Sequence, residues 1–361
     1  MRAAPPRAFQ ASDLAELRAQ VSARSGLPVR EREATAHDGV WAVGDESLLF
    51  AALVSGERPG EQLARGVMLD KWDHAARAGR DDLVPRVEPY QDHDGLLYRT
   101  ALAYHLDIPV AFHGHTGVGK TELVRYLACL LQAPLYRLNL HGLSTTDDII
   151  GKLLPAGAGE VRFQDGLVTT AVRHGGVLLL EELNATGQEV WFSLHGLLDQ
   201  SRALVLVEKD NEVVRQHANC RIFSTFNPPE FLTLYPGTKE LSTAYLRRWA
   251  SIRIGFLDRE AEHALLLRRF PELAGEECSA DVEAMLEVAA LAQVMLEQSA
   301  SSFPFVFATG VLHAWARLVP YLGPLPAARM TFYDVLDERL KTVFREQVFA
   351  YSTPWDLSAL G

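Results

Sequence analysis

The sequence predicts an α/β fold: a parallel sheet covered by helices on both faces, with a helical C-terminal domain and a small N-terminal accessory region. Three observations predict it. From about residue 92, short apolar runs alternate with helical patterns, as a sheet buried on both faces requires. A Gly-rich stretch, 114–121, follows the first of these runs and opens a helix. After about Gly255 the strand signals stop and only helical periodicity remains. These changes divide the chain into residues 1–90, 91–255 and 256–361.

In the first region, residues 12–23 read as a helix with Leu14, Leu17 and Val21 on one face. Apolar pieces at 40–43 and 48–53 are punctuated by Gly39, Gly44, Gly56 and Pro59-Gly60, the pattern of a small accessory unit. The second region begins with a helix at Leu96–Leu106 and a strand at 109–112. A helix at 121–131 and strands at 135–140, 177–180 and 221–225 follow. Four helices fill the third region, at 259–270, 280–298, 307–321 and 332–349. The last places Phe332, Leu336, Leu340 and Val343 on one face, with Thr331 and Asp334 as a capping pair.

The 361 residues are enough for two or three units, and 48% hydrophobic with 22% charged is a globular composition. Lys plus Arg number 35 against 46 Asp plus Glu, a net charge of −11. Polyanions repel such a chain, which argues against nucleic acid or a membrane surface as partner. Cys129, Cys220 and Cys278 follow no metal or disulfide spacing and read as small apolar residues of a reducing compartment. Residues 1–10 carry two prolines and two arginines and no signal-type apolar stretch. No apolar run approaches the ~20 residues of a membrane span. The expected location is cytoplasmic.

Gly114-His115-Thr116-Gly117-Val118-Gly119-Lys120-Thr121 matches G-x-x-x-x-G-K-[ST]. Glycines let the backbone wrap a phosphate chain with its N–H groups turned inward. Lys120 then reaches the β- and γ-phosphates, the Thr121 hydroxyl coordinates Mg²⁺, and the helix opening at Thr121-Glu122 points its positive end at the anion. The expected ligand is a nucleoside triphosphate, Mg-ATP. His113 and His115 flank the first glycine without a third ligand and read as ordinary loop histidines.

The run at 177–180 ends in Glu181-Glu182. Carboxyl ends of parallel strands line the ligand crevice, so Glu181 is the candidate for the metal shell and Glu182 for the base that activates water. A second apolar run, 221–225, leads to Asn227-Pro228, where the amide can hydrogen-bond the water or the γ-phosphate. Arg247-Arg248 precede Trp249 and are either a solvated basic edge or arginines inserted by one subunit into the site of another.

In this order the motifs resemble the AAA+ ATPases, in the branch that holds the MoxR proteins, midasin and the dynein-like group. The resemblance implies that Asn227 is the sensor-1 residue and that Arg248, or its neighbour Arg247, is the arginine finger. It implies that Asn139, in Tyr136-Arg-Leu-Asn139, positions the catalytic Glu, and that residues 256–361 form a helical lid. Residues 154–176 resemble the insert that interrupts the second helix in this clade. Residues 203–214, alternating about a polar turn at 208–211, resemble its pre-sensor hairpin. In relatives both inserts face the opening of a ring and engage what is remodelled. The resemblance thus implies a homo-oligomer, a hexameric ring acting on a protein client or a von Willebrand A-type partner. A nucleic-acid motor similar to the McrB proteins, a narrow activase and a nucleotide switch with little turnover stay open. Two departures from the family stand out. Glu181 takes the place of the usual Asp, and the stretch at 307–313 has no sensor-2 arginine, Arg317 lying about two turns further on.

Overall fold

The computed structural model describes residues 8–32, 39–55, 61–157, 160–228 and 234–360. Gly56, Pro59 and Gly60, residues 158–159 of the first insert, and the two prolines and two arginines of residues 1–10 lie outside them. The chain forms two compact units. One comprises residues 1–113, 120–226 and 237–253; the other comprises 114–119, 227–236 and 254–361.

The first unit opens with an antiparallel sheet that the short apolar pieces only hinted at. Its strands are β1 (Ala8–Ala11), β2 (Val29–Glu31), β3 (Val40–Val43), β4 (Ser47–Ser55) and β5 (Gln62–Asp70), in the order β1-β5-β4-β3-β2. Helix α1 (Leu14–Ser25) starts where the Asp13 carboxylate accepts from the Glu16 N–H and ends at Gly26 in a left-handed cap. It buries Leu17 and Val21 with Phe9, Leu49 and Ala64 of the sheet. The Trp72 indole donates to the Tyr104 hydroxyl at 3.0 Å, joining the end of this sheet to α2 (Leu96–Leu106).

The second sheet is parallel. Its strands are β6 (Val110–His113), β7 (Leu135–Asn139), β10 (Gly176–Glu181), β13 (Cys220–Phe226) and β14 (Ala250–Arg253), in the order β14-β6-β13-β10-β7. Every residue of β10 is buried, as a central strand covered on both faces demands. Strand β14 escaped the sequence reading because it is short and polar at alternate positions; its backbone pairing with β6 makes it a strand. Helix α3 (Lys120–Leu130) follows β6 through the Gly-rich loop.

Each insert contains a hairpin; the first insert, read at 154–176, is a hairpin at 151–165 followed by a helix. Strands β8 (Gly151–Gly157) and β9 (Glu160–Asp165) form the first, β11 (Ala203–Leu206) and β12 (Glu212–Arg215) the second. Arg173, in α4 (Leu167–His174), pairs with Asp165 at 2.6 Å and with Glu212 at 2.7 Å, so one guanidinium ties the two hairpins together. Each hairpin also exposes apolar side chains: Leu153 and Val161 on the first, and the cross-strand pair Val205 and Val213 on the second.

The other unit is built on α5 (Arg259–Arg269), α6 (Glu276–Gln298) and α7 (Thr309–Leu322) around an aromatic core of Phe303, Phe307, Trp315, Phe332, Phe344 and Phe349. The predicted helix at 332–349 is interrupted. A wide turn at Arg329–Tyr333 precedes a fresh start at Glu338, where the Asp337 carboxylate accepts from the Leu340 N–H. Thr331 and Asp334 do not cap it: the Thr331 hydroxyl donates to the Ala327 carbonyl, and Asp334 pairs with Arg329. A serine, threonine or aspartate marks a helix start only where its side chain meets a free N–H, and Asp337 does so here.

Burial, and then the positive field of Arg269 and Arg268, pushes His313 of α7 down to about 4. The unfolded chain takes up this proton below about pH 6.5, while the folded chain does not until about pH 4. The stability it contributes is therefore complete above about pH 6.5 and is lost as the pH falls toward 4. Between pH 7.5 and 4.5 the protein is expected to lose about 2 kcal/mol more than its His313→Gln variant. Urea denaturation at the two pH values measures this, and equal losses in both proteins count against it.

Candidate functional site

In the first unit the carboxyl ends of the parallel strands gather Lys120, Thr121, Glu181 and Glu182. Lys120 opens α3 and is buried. Burial pulls its ammonium down to about 8, with Glu182 and then Glu181 pulling the other way. The cation is thus set against two acids in a site poor in water, where its field on an anion is least screened.

Glu181, the last residue of β10, is 6% exposed. One carboxylate oxygen accepts from the Thr121 hydroxyl at 2.5 Å and from Arg137 Nη2 at 3.2 Å. Arg137 Nε donates to the other. A hydroxyl and a carboxylate at hydrogen-bond distance are the oxygen donors a magnesium ion takes, so this pair fits the metal. Glu182 follows in left-handed backbone conformation, φ 55°. A residue with a Cβ seldom stays there, and the strain of about 1 kcal/mol is retained where a side chain must leave the strand direction. Its N–H donates to the Thr225 hydroxyl on β13 at 3.4 Å.

Asn139 ends β7 opposite Glu181 in the register, with Arg137 two residues earlier on the same face. Arg137 belongs to no motif in the sequence, so its role was not legible there. Its spacing of two from Asn139 was the available signal. Glu122 pairs with Arg125 on the surface of α3 at 2.6 Å.

In the other unit, Gly114–Gly119 groups with Asn227. The Thr116 hydroxyl donates to the Asn227 side-chain carbonyl at 3.3 Å, and Asn227 is buried. A Cβ on Gly114 would lie 2.1 Å from the Ile254 carbonyl oxygen, and one on Gly117, at φ 86°, would lie 3.1 Å from the Ala308 side chain. The first position admits only glycine, and the second brings the loop against the start of α7. His115 is not an ordinary loop histidine: it is buried, its ring stacks on Phe256, and Nδ1 lies 2.7 Å from the Tyr235 hydroxyl. Val118 is buried as well, whereas Thr116 stays exposed.

Arg247 and Arg248 lie elsewhere. They precede β14, whose first residue Ala250 is paired with Val110 at the start of β6 and donates to the Pro109 carbonyl. The strands run parallel, so both arginines sit at the amino edge of the sheet, while Glu181 and Lys120 sit at the carboxyl edge. A strand of this length separates the edges by about 13 Å. There the arginines line a shallow depression with Ile108, Leu198, Asp199 and Arg202. Arg248 Nη1 donates to the Ala244 carbonyl at 2.5 Å.

The family described as "AAA domain (dynein-related subfamily)" matches residues 109–249. Midasin of Dictyostelium discoideum is 34% identical over 161 residues, 45% of this chain and 3% of midasin, so the likeness covers one small part of that protein. Protein CbbQ of Hydrogenophilus thermoluteolus is 32% identical over 52% of this chain and 68% of its own length. Denitrification regulatory protein NirQ of Pseudomonas aeruginosa is 28% identical over 67% of this chain and 88% of its own length. With a 32% identical relative matched over two thirds of its length, and with a Gly-rich loop following the first strand of a parallel sheet ordered β14-β6-β13-β10-β7, the chain belongs to the MoxR, midasin and dynein-related branch of the AAA+ ATPases.

Proposed function

We propose that the protein assembles into a ring, hexameric by family likeness, that couples binding and hydrolysis of Mg-ATP to the remodelling or activation of a protein partner. The observation that carries this reading is the separation of Arg247 and Arg248 from Lys120, Glu181 and Glu182 by the length of the sheet. An arginine at the amino edge cannot serve a γ-phosphate at the carboxyl edge of its own sheet. It can serve that of an adjacent copy.

Lys120 and the N–H groups of the Gly-rich loop hold the phosphates, and Thr121 and Glu181 are the residues that would hold Mg²⁺. When bound, the metal neutralises charge on the phosphoryl oxygens. Glu182 accepts the proton of the attacking water, and Asn227 orients that water or the γ-phosphate. Arg248, with Arg247 beside it, supplies positive charge to the neighbouring site. Two hairpins with exposed valines and leucine, tied by Arg173, suit contact with a protein chain better than with a polyanion. NirQ, a relative named as a regulatory protein, is in keeping with activation of a partner. A von Willebrand A-type protein is the proposed partner, residues 1–90 select it, and the cytoplasm is the proposed location. Among the described residues no helix is long and apolar enough to cross a membrane.

Mixed assemblies test the shared site. Glu182→Gln chains and Arg247→Ala/Arg248→Ala chains are each expected to be nearly inactive. Mixed together they should regain hydrolysis, because some interfaces then pair an intact Glu182 with an intact arginine. Light scattering should show assembly with ATP. A mixture as inactive as its parts, in chains that stay monomeric with ATP, removes the ring from the proposal.

A further inference from the structure

Glu181 is held from two sides. Thr121 donates to Oε1, while the Arg137 fork closes on the carboxylate, Nη2 to Oε1 at 3.2 Å and Nε to Oε2. Both oxygens a metal ion would use are thus engaged by a cation already belonging to the chain. The carboxylate is almost wholly buried, but the Arg137 side chain is 53% exposed. The anchored partner is therefore the acid, and the partner free to swing into water is the arginine. Arg137 stands on β7, which among the described residues is an edge strand of the parallel sheet.

Side-chain length explains why the pair can form. Glu181 and Arg137 project from the same face of adjacent strands, offset by one pleat, since Glu181 pairs with Asn139 and Arg137 with Leu179. The extra methylene of Glu over Asp carries the carboxylate about 1.5 Å further from the strand, toward both the Thr121 hydroxyl and the guanidinium. A divalent cation on this carboxylate competes with the guanidinium: the fork and Thr121 already take most of the oxygens' lone pairs, and the two positive charges repel at contact distance.

We infer that Arg137 is a positioning residue that competes with the divalent metal for Glu181, leaving the carboxylate when the metal binds. The inference rests on the reading of Glu181 as the metal carboxylate. It gives the departure from the usual Asp a consequence: metal loading is coupled to release of an arginine on the edge strand. Seven residues after the end of β7 the chain enters the short helix Thr146–Ile150, which runs straight into the first hairpin.

The test is Mn²⁺ binding by the full-length chain, with Mn²⁺ alone as the probe and free Mn²⁺ read by electron paramagnetic resonance. Arg137→Gln is expected to bind Mn²⁺ about tenfold more tightly than the parent. Arg137→Lys should stay near the parent, and Glu181→Gln should lose the site. A second readout separates competition from a merely structural role. In a chelator Arg137→Gln should melt below the parent, because a buried carboxylate has lost its counter-charge, and Mn²⁺ should raise its melting temperature more than the parent's. Should Arg137→Gln not fold, Glu181→Asp, whose shorter side chain draws back from the guanidinium, takes its place with the same expected gain. Equal or weaker Mn²⁺ binding by the Arg137 variant, while Glu181→Gln still abolishes binding, overturns the inference and leaves the metal site standing. Mn²⁺ binding that is indifferent to Glu181→Gln overturns both.

Discussion

Glu182→Gln is expected to lower ATP turnover by about two to four orders of magnitude, the share that a positioned general base contributes, while the ATP dissociation constant stays within about threefold. Glu182 leaves β10 in a left-handed conformation, with its N–H on the Thr225 hydroxyl, so the backbone aims the side chain away from the strand rather than along it. Glutamine keeps that conformation and shape and loses only the capacity to take a proton. The change should thus separate binding from hydrolysis, and ATP should remain on the protein with its partner trapped. A fluorescent ATP analogue and a phosphate-release assay together measure both quantities. Turnover at the parent rate would remove Glu182 from the role of base.

Lys120→Ala should act earlier, on binding itself. Its ammonium is buried at the start of α3 and faces Glu181 and Glu182. Without it, triphosphate entering this part of the site would meet two carboxylates and no lysine. Truncating one partner of a buried charge pair costs about 2–5 kcal/mol, so ATP affinity is expected to fall by about two orders of magnitude or more. Hydrolysis at micromolar ATP should then be at background. The fold should persist, because Arg137 and Thr121 still satisfy Glu181. Calorimetric titration with ATP, alongside circular dichroism of the variant, checks the two halves of this expectation. Binding within threefold of the parent would mean that the loop grips phosphate through its backbone alone.

These two variants and the mixed assemblies act at different places. Lysine loss should empty the site, glutamate loss should hold it full, and arginine loss should disable only the neighbour in the proposed ring. A partner-activating ring should tolerate none of them. Neither a monomeric hydrolase nor a passive nucleotide carrier has any reason to need Arg247 and Arg248.

The sequence by itself determined the parallel sheet and its order of motifs. Buried strands are written as continuous apolar runs, and a phosphate loop is written in glycines whose spacing has no other common use. That is why the Gly-rich loop at Gly114–Thr121 and the apolar runs leading to Glu181-Glu182 and Asn227 were legible as pattern, along with the hairpin at 203–214, while the first insert was legible only as an insert. Other features depend on partners remote in the chain, and only the tertiary structure decided them. Strand β14 exists through its pairing with β6, and the N-terminal sheet through pairings across loops that periodicity cannot see. Asp337 rather than Thr331 starts the last helix because a free N–H waits there. His115 is buried by Tyr235 and Phe256, both more than a hundred residues away. The pairing of Arg137 with Glu181 spans 44 residues and needs two adjacent strands in one register. Local pattern records which faces are apolar. Which charged groups meet is settled when the strands align.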